Sequence, residues 1–89
     1  MKRAVFFVSG RVQGVGFRYR TNEIAKSFLV AGTVENLDDG RVKIVVEGEH
    51  DEIQRFIEEV SSSASGKIKS MARFDSVASG DFDGFEIKR

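Results

Sequence analysis

The apolar run Ala4-Val5-Phe6-Phe7-Val8 passes without a break into Ser9-Gly10-Arg11-Val12-Gln13-Gly14-Val15-Gly16-Phe17-Arg18, and this junction constrains the fold more than any other stretch. A continuous run of β-branched and aromatic residues predicts a central strand buried on both faces, ending at Ser9-Gly10. From Phe17 onward Thr21, Ile24, Ala25 and Phe28 recur at helical spacing, with Arg20, Glu23 and Lys26 on the opposite side. The chain therefore turns from strand to helix across a segment punctuated by glycines. Gly14 and Gly16 permit backbone conformations closed to residues with a Cβ, so successive N–H groups can face inward as a concave anion nest. The helix that follows adds unpaired N–H groups and the positive end of its dipole. Arg18 adds a full charge on a planar fork of donors. The segment can hold a phosphate; it fits equally a plain glycine-containing turn with Arg18 solvated on the helix surface.

The common nucleotide motifs are absent. A Walker A loop ends in Gly-Lys-Ser/Thr, whereas Gly16 is followed by Phe17 and Arg18; a dinucleotide fingerprint needs a third glycine near position 19, which is Tyr19.

Downstream, a strand is predicted over Thr33 to Leu37. Asp39-Gly40 then signals a hairpin, and Val42, Ile44 and Val46 alternate with Arg41, Lys43 and Glu47. Ile53, Phe56, Ile57 and Val60 follow at i, i+3, i+4, i+7, with Asp51 and Glu52 placed to favour the dipole of a second helix. Residues 61–66, small and polar, predict a helix end and a mobile connection. Ile68 to Val77 is strand-like with broken alternation: Ala72 and Phe74 share one face, Met71 and Val77 the other, which predicts a bulge or bend. Gly80 to Gly84 reads as a turn, and Phe85 with Ile87 as a short last strand. This order predicts an α+β ferredoxin-like split βαβ sandwich, βαββαβ plus a short C-terminal strand, with an antiparallel sheet carrying two helices on one face.

Eighty-nine residues, 40% of them hydrophobic, predict one domain over 1–89 with one core. Fourteen basic residues balance fourteen acidic ones, so no net field recruits nucleic acid or an anionic membrane, and any anion site must be local. The absence of cysteine removes disulfides, thiolate nucleophiles and zinc–cysteine sites. Ala4 to Val8 is too short for a signal or membrane segment, which makes the cytoplasm the default location. No long exposed apolar stripe asks for a partner, so a monomer is expected.

Ordinary catalytic equipment is scarce. The single histidine, His50, reads as a surface or capping residue, and no metal cluster is apparent. Asn36 shares a sheet face with Val34, two residues before it, beside the predicted hairpin. Its amide both donates and accepts, so it can hold a water or complete the turn.

At this point a resemblance carries information that spacing does not. Gly10-Arg11-Val12-Gln13-Gly14-Val15-Gly16-Phe17-Arg18-Tyr19 and Gly32-Thr33-Val34-Glu35-Asn36-Leu37-Asp38-Asp39-Gly40 resemble the two signatures of the acylphosphatase family, and the similarity continues through Val46-Glu47-Gly48 to Gly84-Phe85-Glu86-Ile87. The resemblance implies an enzyme that hydrolyses carboxyl-phosphate anhydrides to carboxylate and inorganic phosphate, without metal or other cofactor, on a small-molecule acyl phosphate. It implies that Arg18 binds the phosphate and Asn36 positions the water. It also implies that the backbone N–H groups of Gln13, Gly14, Val15, Gly16, Phe17 and Arg18 surround the phosphate, their side chains serving mainly loop shape. The chain departs from the family in carrying Thr33 where an aromatic residue is common, and in lacking proline altogether. These departures touch packing and loop rigidity more than chemistry. Three rival readings are a module that binds phosphate without turnover, an RNA-binding domain of the same topology, and a regulatory or carbamoyl-phosphate-handling role, since the resembling domains can occur within larger proteins. The second lacks an evident exposed aromatic pair on its central strands.

Overall fold

The computed structural model describes residues 1–63 and 66–88. Seven elements follow in the order β1 (Lys2–Arg11), α1 (Phe17–Ala25), β2 (Val30–Asn36), β3 (Val42–Gly48), α2 (His50–Ser62), β4 (Lys67–Val77) and β5 (Phe85–Ile87). The strands form one sheet in the order β4-β1-β3-β2-β5. Its β1–β3, β1–β4 and β2–β3 pairs are antiparallel, and β5 adds parallel to β2, so the sheet is mixed. The predicted split βαβ order is present, with β5 as the extra strand. Part of the predicted connection over 61–66 lies outside the described residues.

Period-two alternation sorts the sheet into two faces. Ala4, Phe6 and Val8 of β1, Val34 of β2, and Val42, Ile44 and Val46 of β3 are buried on one face beneath the helices. Phe17 and Ala25 of α1, with Ile53, Phe56, Ile57 and Val60 of α2, complete the core from above. The expectation that β1 is buried on both faces is therefore corrected. Val5 and Phe7 are only half-buried, because the opposite face has no second layer. Side chains shelter it instead: the Phe7 ring meets Phe74 edge-on at 5.9 Å, and the Arg41 guanidinium lies 4.8 Å from the Phe7 centroid. Phe7 alone of this pair stands on a central strand, and its ring face is taken by Arg41. The base-stacking platform of an RNA-binding sheet is not formed by this pair.

The first helix is shorter than its pattern. It ends at Ala25, and the chain leaves by tighter i→i+3 bonds, Ser27 N–H to Ile24 and Phe28 N–H to Ala25. Phe28 keeps its helical periodicity because it still packs inward, 6.3 Å from the Phe56 ring. The irregularity predicted for the fourth strand is a bulge. The ladder passes from Ser9 opposite Ser70 to Gly10 opposite Ile68, leaving Lys69 extra, which puts Ile68 and Met71 both against the core.

From β4 the chain must cross beneath the sheet to reach its far edge at β5. Glu47 holds that crossing. Its side chain is almost wholly buried and accepts hydrogen bonds from the Ser79 N–H (2.8 Å), the Ser79 hydroxyl (2.9 Å), the Gly80 N–H (3.0 Å) and Arg3 Nη1 (3.3 Å). Burial alone would push its carboxyl upward; the donors at Ser79 and Gly80 and the Arg3 charge outweigh it, and the group is held below the usual carboxylate range. A carboxylate favoured in the folded state stabilises the fold above its ordinary pKa of about 4.3, and that stability is lost as pH falls through the lowered folded value. Glu47→Gln turns one acceptor into a donor facing other donors. It should cost about 2 kcal/mol at pH 7, lowering the thermal midpoint by about 10 °C. It should also flatten the acid limb of the stability curve, measured by thermal unfolding between pH 3 and pH 7. An unchanged acid limb would remove Glu47 from this role.

Candidate active site

The candidate site lies at the junction of β1 and α1. Gly14 (φ +73°) and Gly16 (φ +81°) both adopt left-handed backbone, the conformation their lack of a Cβ allows. Gly16 is the residue from which α1 starts, and it supplies no side-chain cap. The first helical bond runs from the Arg20 N–H to the Gly16 carbonyl at 3.0 Å, so the N–H groups of Phe17, Arg18 and Tyr19 have no partner within the helix. No acidic residue occupies the first turn to offset the positive end of the dipole.

The residues that carry these groups line a cleft of about 240 Å³ together with Val12, Gly14, Gly16 and Ile87. Arg18 is half-buried there, and its guanidinium makes no ion pair or hydrogen bond with any described residue. The floor is apolar, with Val12 and Phe17 buried in the core. Ile87 reaches the cleft because β5 pairs with β2 in the register Val34 opposite Ile87, fastened by the Gly32 N–H to Gly84 and the Lys88 N–H to Val34 bonds, each 2.9 Å. The crossing pinned by Glu47 thus delivers one wall of the cleft.

Asn36 is the last residue of β2, on the face of Val34 and so on the side of the sheet where the cleft lies. Its Oδ1 is buried without a hydrogen-bond partner among the described residues, an expensive state for an amide oxygen unless a ligand or water completes it. The turn after it does not use this side chain. Leu37 and Arg41 close a three-residue loop by the Leu37 N–H to Arg41 carbonyl bond at 2.8 Å, Gly40 takes φ +95°, and Asp39 satisfies the Arg41 N–H at 3.0 Å. Of the two roles open to Asn36 in the sequence, completion of the turn is performed by other groups.

The structure therefore gathers Gly14, Gly16, Phe17 and Arg18 around one cleft, with Asn36 on the adjoining strand. Val15 points the other way and packs against the core. Gln13 differs most from expectation: its side chain leaves the loop and donates from Nε2 to the carbonyls of Leu37 (2.8 Å) and Arg41 (2.9 Å). Tyr19, exposed at the mouth, and Ile87 are lining residues the sequence did not single out. The place of Tyr19 beside Arg18 in the first helical turn was the available signal. Among the described residues no group of three or more His, Cys, Asp or Glu side chains could hold a metal, and His50 is exposed at the start of α2.

Fold and cleft together define a small α+β domain with a glycine-punctuated cleft at a helix start, lined by an arginine that pairs with none of the described residues. The chain belongs to the acylphosphatase family, whose model matches residues 4–87. An acylphosphatase of Thermotoga maritima is 39% identical over 88 residues, covering 99% of this chain and 98% of that one. One of Methanospirillum hungatei is 46% identical over 69 residues, covering 78% and 76%. The crystal structure of an acylphosphatase from Bacillus subtilis aligns with a TM-score of 0.93 at 37% identity, covering all of both chains. The reaction is hydrolysis of acyl phosphates to carboxylate and inorganic phosphate. No helix among the described residues is long and apolar enough to cross a membrane.

Proposed function

We propose that Arg18 and the backbone N–H groups of Gln13 to Arg18 hold the phosphoryl group of the substrate while Asn36 orients the attacking water. The observation that carries this reading is a half-buried guanidinium without a partner among the described residues, set among helix-start N–H groups unpaired within the helix, with the Asn36 Oδ1, likewise without a partner among the described residues, on the adjoining strand. An acyl phosphate has a good leaving group, so the obstacle is bringing water against a dianion. Preorganised donors offset charge on the phosphoryl oxygens, and a held water removes the orientational cost. The water oxygen forms its bond to phosphorus as the bond from phosphorus to the acyl oxygen breaks, and the carboxylate leaves with that electron pair. The water proton passes to a phosphate oxygen of the substrate: neither motif contains a histidine, and of the carboxylates in the second, Glu35 pairs with Lys88, Asp39 with Arg41, and Asp38 is exposed in the hairpin turn.

The reading extends to a monomer in the cytoplasm that turns over small acyl phosphates with no metal and no nucleic-acid or membrane partner. Titration with inorganic phosphate should shift the amide resonances of residues 13–18 and the Asn36 side-chain amide above all others, and a chelator should leave benzoyl phosphate hydrolysis unchanged. Shifts centred on another segment, or activity lost to the chelator and restored by a divalent cation, would overturn it.

A further inference from the structure

Gln13 sits in the loop assigned to phosphate, yet its side chain reaches out of that loop to the β2–β3 hairpin. We infer that Gln13 is a positioning residue that latches the phosphate loop to the strand end carrying Asn36, fixing the distance between bound phosphate and held water. The inference rests on the roles proposed for Arg18 and Asn36.

The geometry is specific to a glutamine. Its amide nitrogen has two hydrogens, and they go to the two carbonyls that close the hairpin, Leu37 at 2.8 Å and Arg41 at 2.9 Å. Those carbonyls are already ordered: Leu37 accepts the Gly40 N–H at 3.2 Å, and Arg41 accepts the Leu37 N–H at 2.8 Å. The latch therefore grips the rigid base of the turn, and Leu37 is the residue next to Asn36. At its other end Gln13 directly precedes Gly14, whose left-handed backbone begins the nest. A short covalent and hydrogen-bonded path thus joins the two halves of the site, Gly14–Gln13 to Leu37–Asn36, and among the described residues no hydrogen bond joins Arg18 to Asn36 directly. A carboxylate of the same shape would offer two carbonyls no donor. A shorter amide would not reach both.

Misplacing a reactant by about an ångström can cost up to a hundredfold, so Gln13→Met should lower kcat about tenfold or more while the inhibition constant of inorganic phosphate stays within about twofold. Gln13→Asn, still polar but one methylene short, should behave alike, with thermal unfolding showing that each variant is folded at the assay temperature. The decisive measurement is the double variant. If Gln13 acts through Asn36, then in the Asn36→Ala background Gln13→Met should cost less than about twofold further in kcat, because the group it positions is gone. A fall in phosphate affinity at constant kcat, or the full single-variant factor repeated in the Asn36→Ala background, overturns the latch and leaves the roles of Arg18 and Asn36 standing. Should Asn36→Ala alone keep its kcat, the water-holding reading itself fails and the latch falls with it.

Discussion

Arg18→Ala should lower kcat/KM for benzoyl phosphate about a thousandfold, equivalent to roughly 4 kcal/mol of transition-state stabilisation, and weaken inhibition by inorganic phosphate alongside. Removing a single preorganised neutral donor from an oxyanion site costs about 3 kcal/mol. Arg18 should cost more, because it is the one full charge among the described residues lining the cleft; the others are glycines, apolar side chains and the neutral Tyr19. With the described residues its guanidinium makes no ion pair that would have to be broken when substrate binds, which leaves its charge available to a phosphoryl group. Arg18→Lys should recover little, since an ammonium is a point charge and cannot engage two oxygens in one plane. The variant should fold normally, because Arg18 holds nothing else in place. Near-normal hydrolysis by Arg18→Ala would remove the loop from the mechanism, whereas loss of activity with phosphate inhibition intact would confine Arg18 to the transition state.

Which parts of this arrangement were legible in the sequence follows from how far apart the determining residues lie. Local features came through: the glycine turn, the Asp39-Gly40 hairpin, the Ile53-Phe56-Ile57-Val60 stripe, and the bulge or bend signalled by Ala72 and Phe74 on one face against Met71 and Val77 on the other. The face on which Asn36 stands was fixed by parity with Val34 alone. What stayed hidden depends on remote partners. Glu47 alternates with Val46 like any outward-facing residue, and its burial is created by Ser79 and Gly80, 32 and 33 residues later. Gln13 looked like loop filler because the carbonyls it serves lie 24 and 28 residues on. Ile87 joins the cleft only through the parallel register of β5. The half-exposure of Val5 and Phe7 follows from the lack of a second layer, which a run of apolar residues cannot reveal.

Asn36→Ala is the sharper test of how the two halves of the site divide the work. If the loop binds and Asn36 orients water, the substitution should lower kcat about a hundredfold, roughly 3 kcal/mol, and leave inhibition by inorganic phosphate within about twofold. The fold should tolerate the change. Among the described residues the Oδ1 has no partner to lose, and the hairpin after it is closed by backbone bonds and by Asp39. The thermal midpoint should therefore stay close to that of the unsubstituted protein. Loss of activity with unchanged or raised stability is what separates a group kept for chemistry from one kept for structure. Asn36→Asp sharpens the point: the shape is retained, but a carboxylate facing a phosphate dianion can no longer donate and adds repulsion. It should therefore be at least as slow as alanine and should also weaken phosphate inhibition. If Asn36→Ala instead loses phosphate affinity while kcat holds, Asn36 belongs to the cradle, and the water must be oriented by the loop itself.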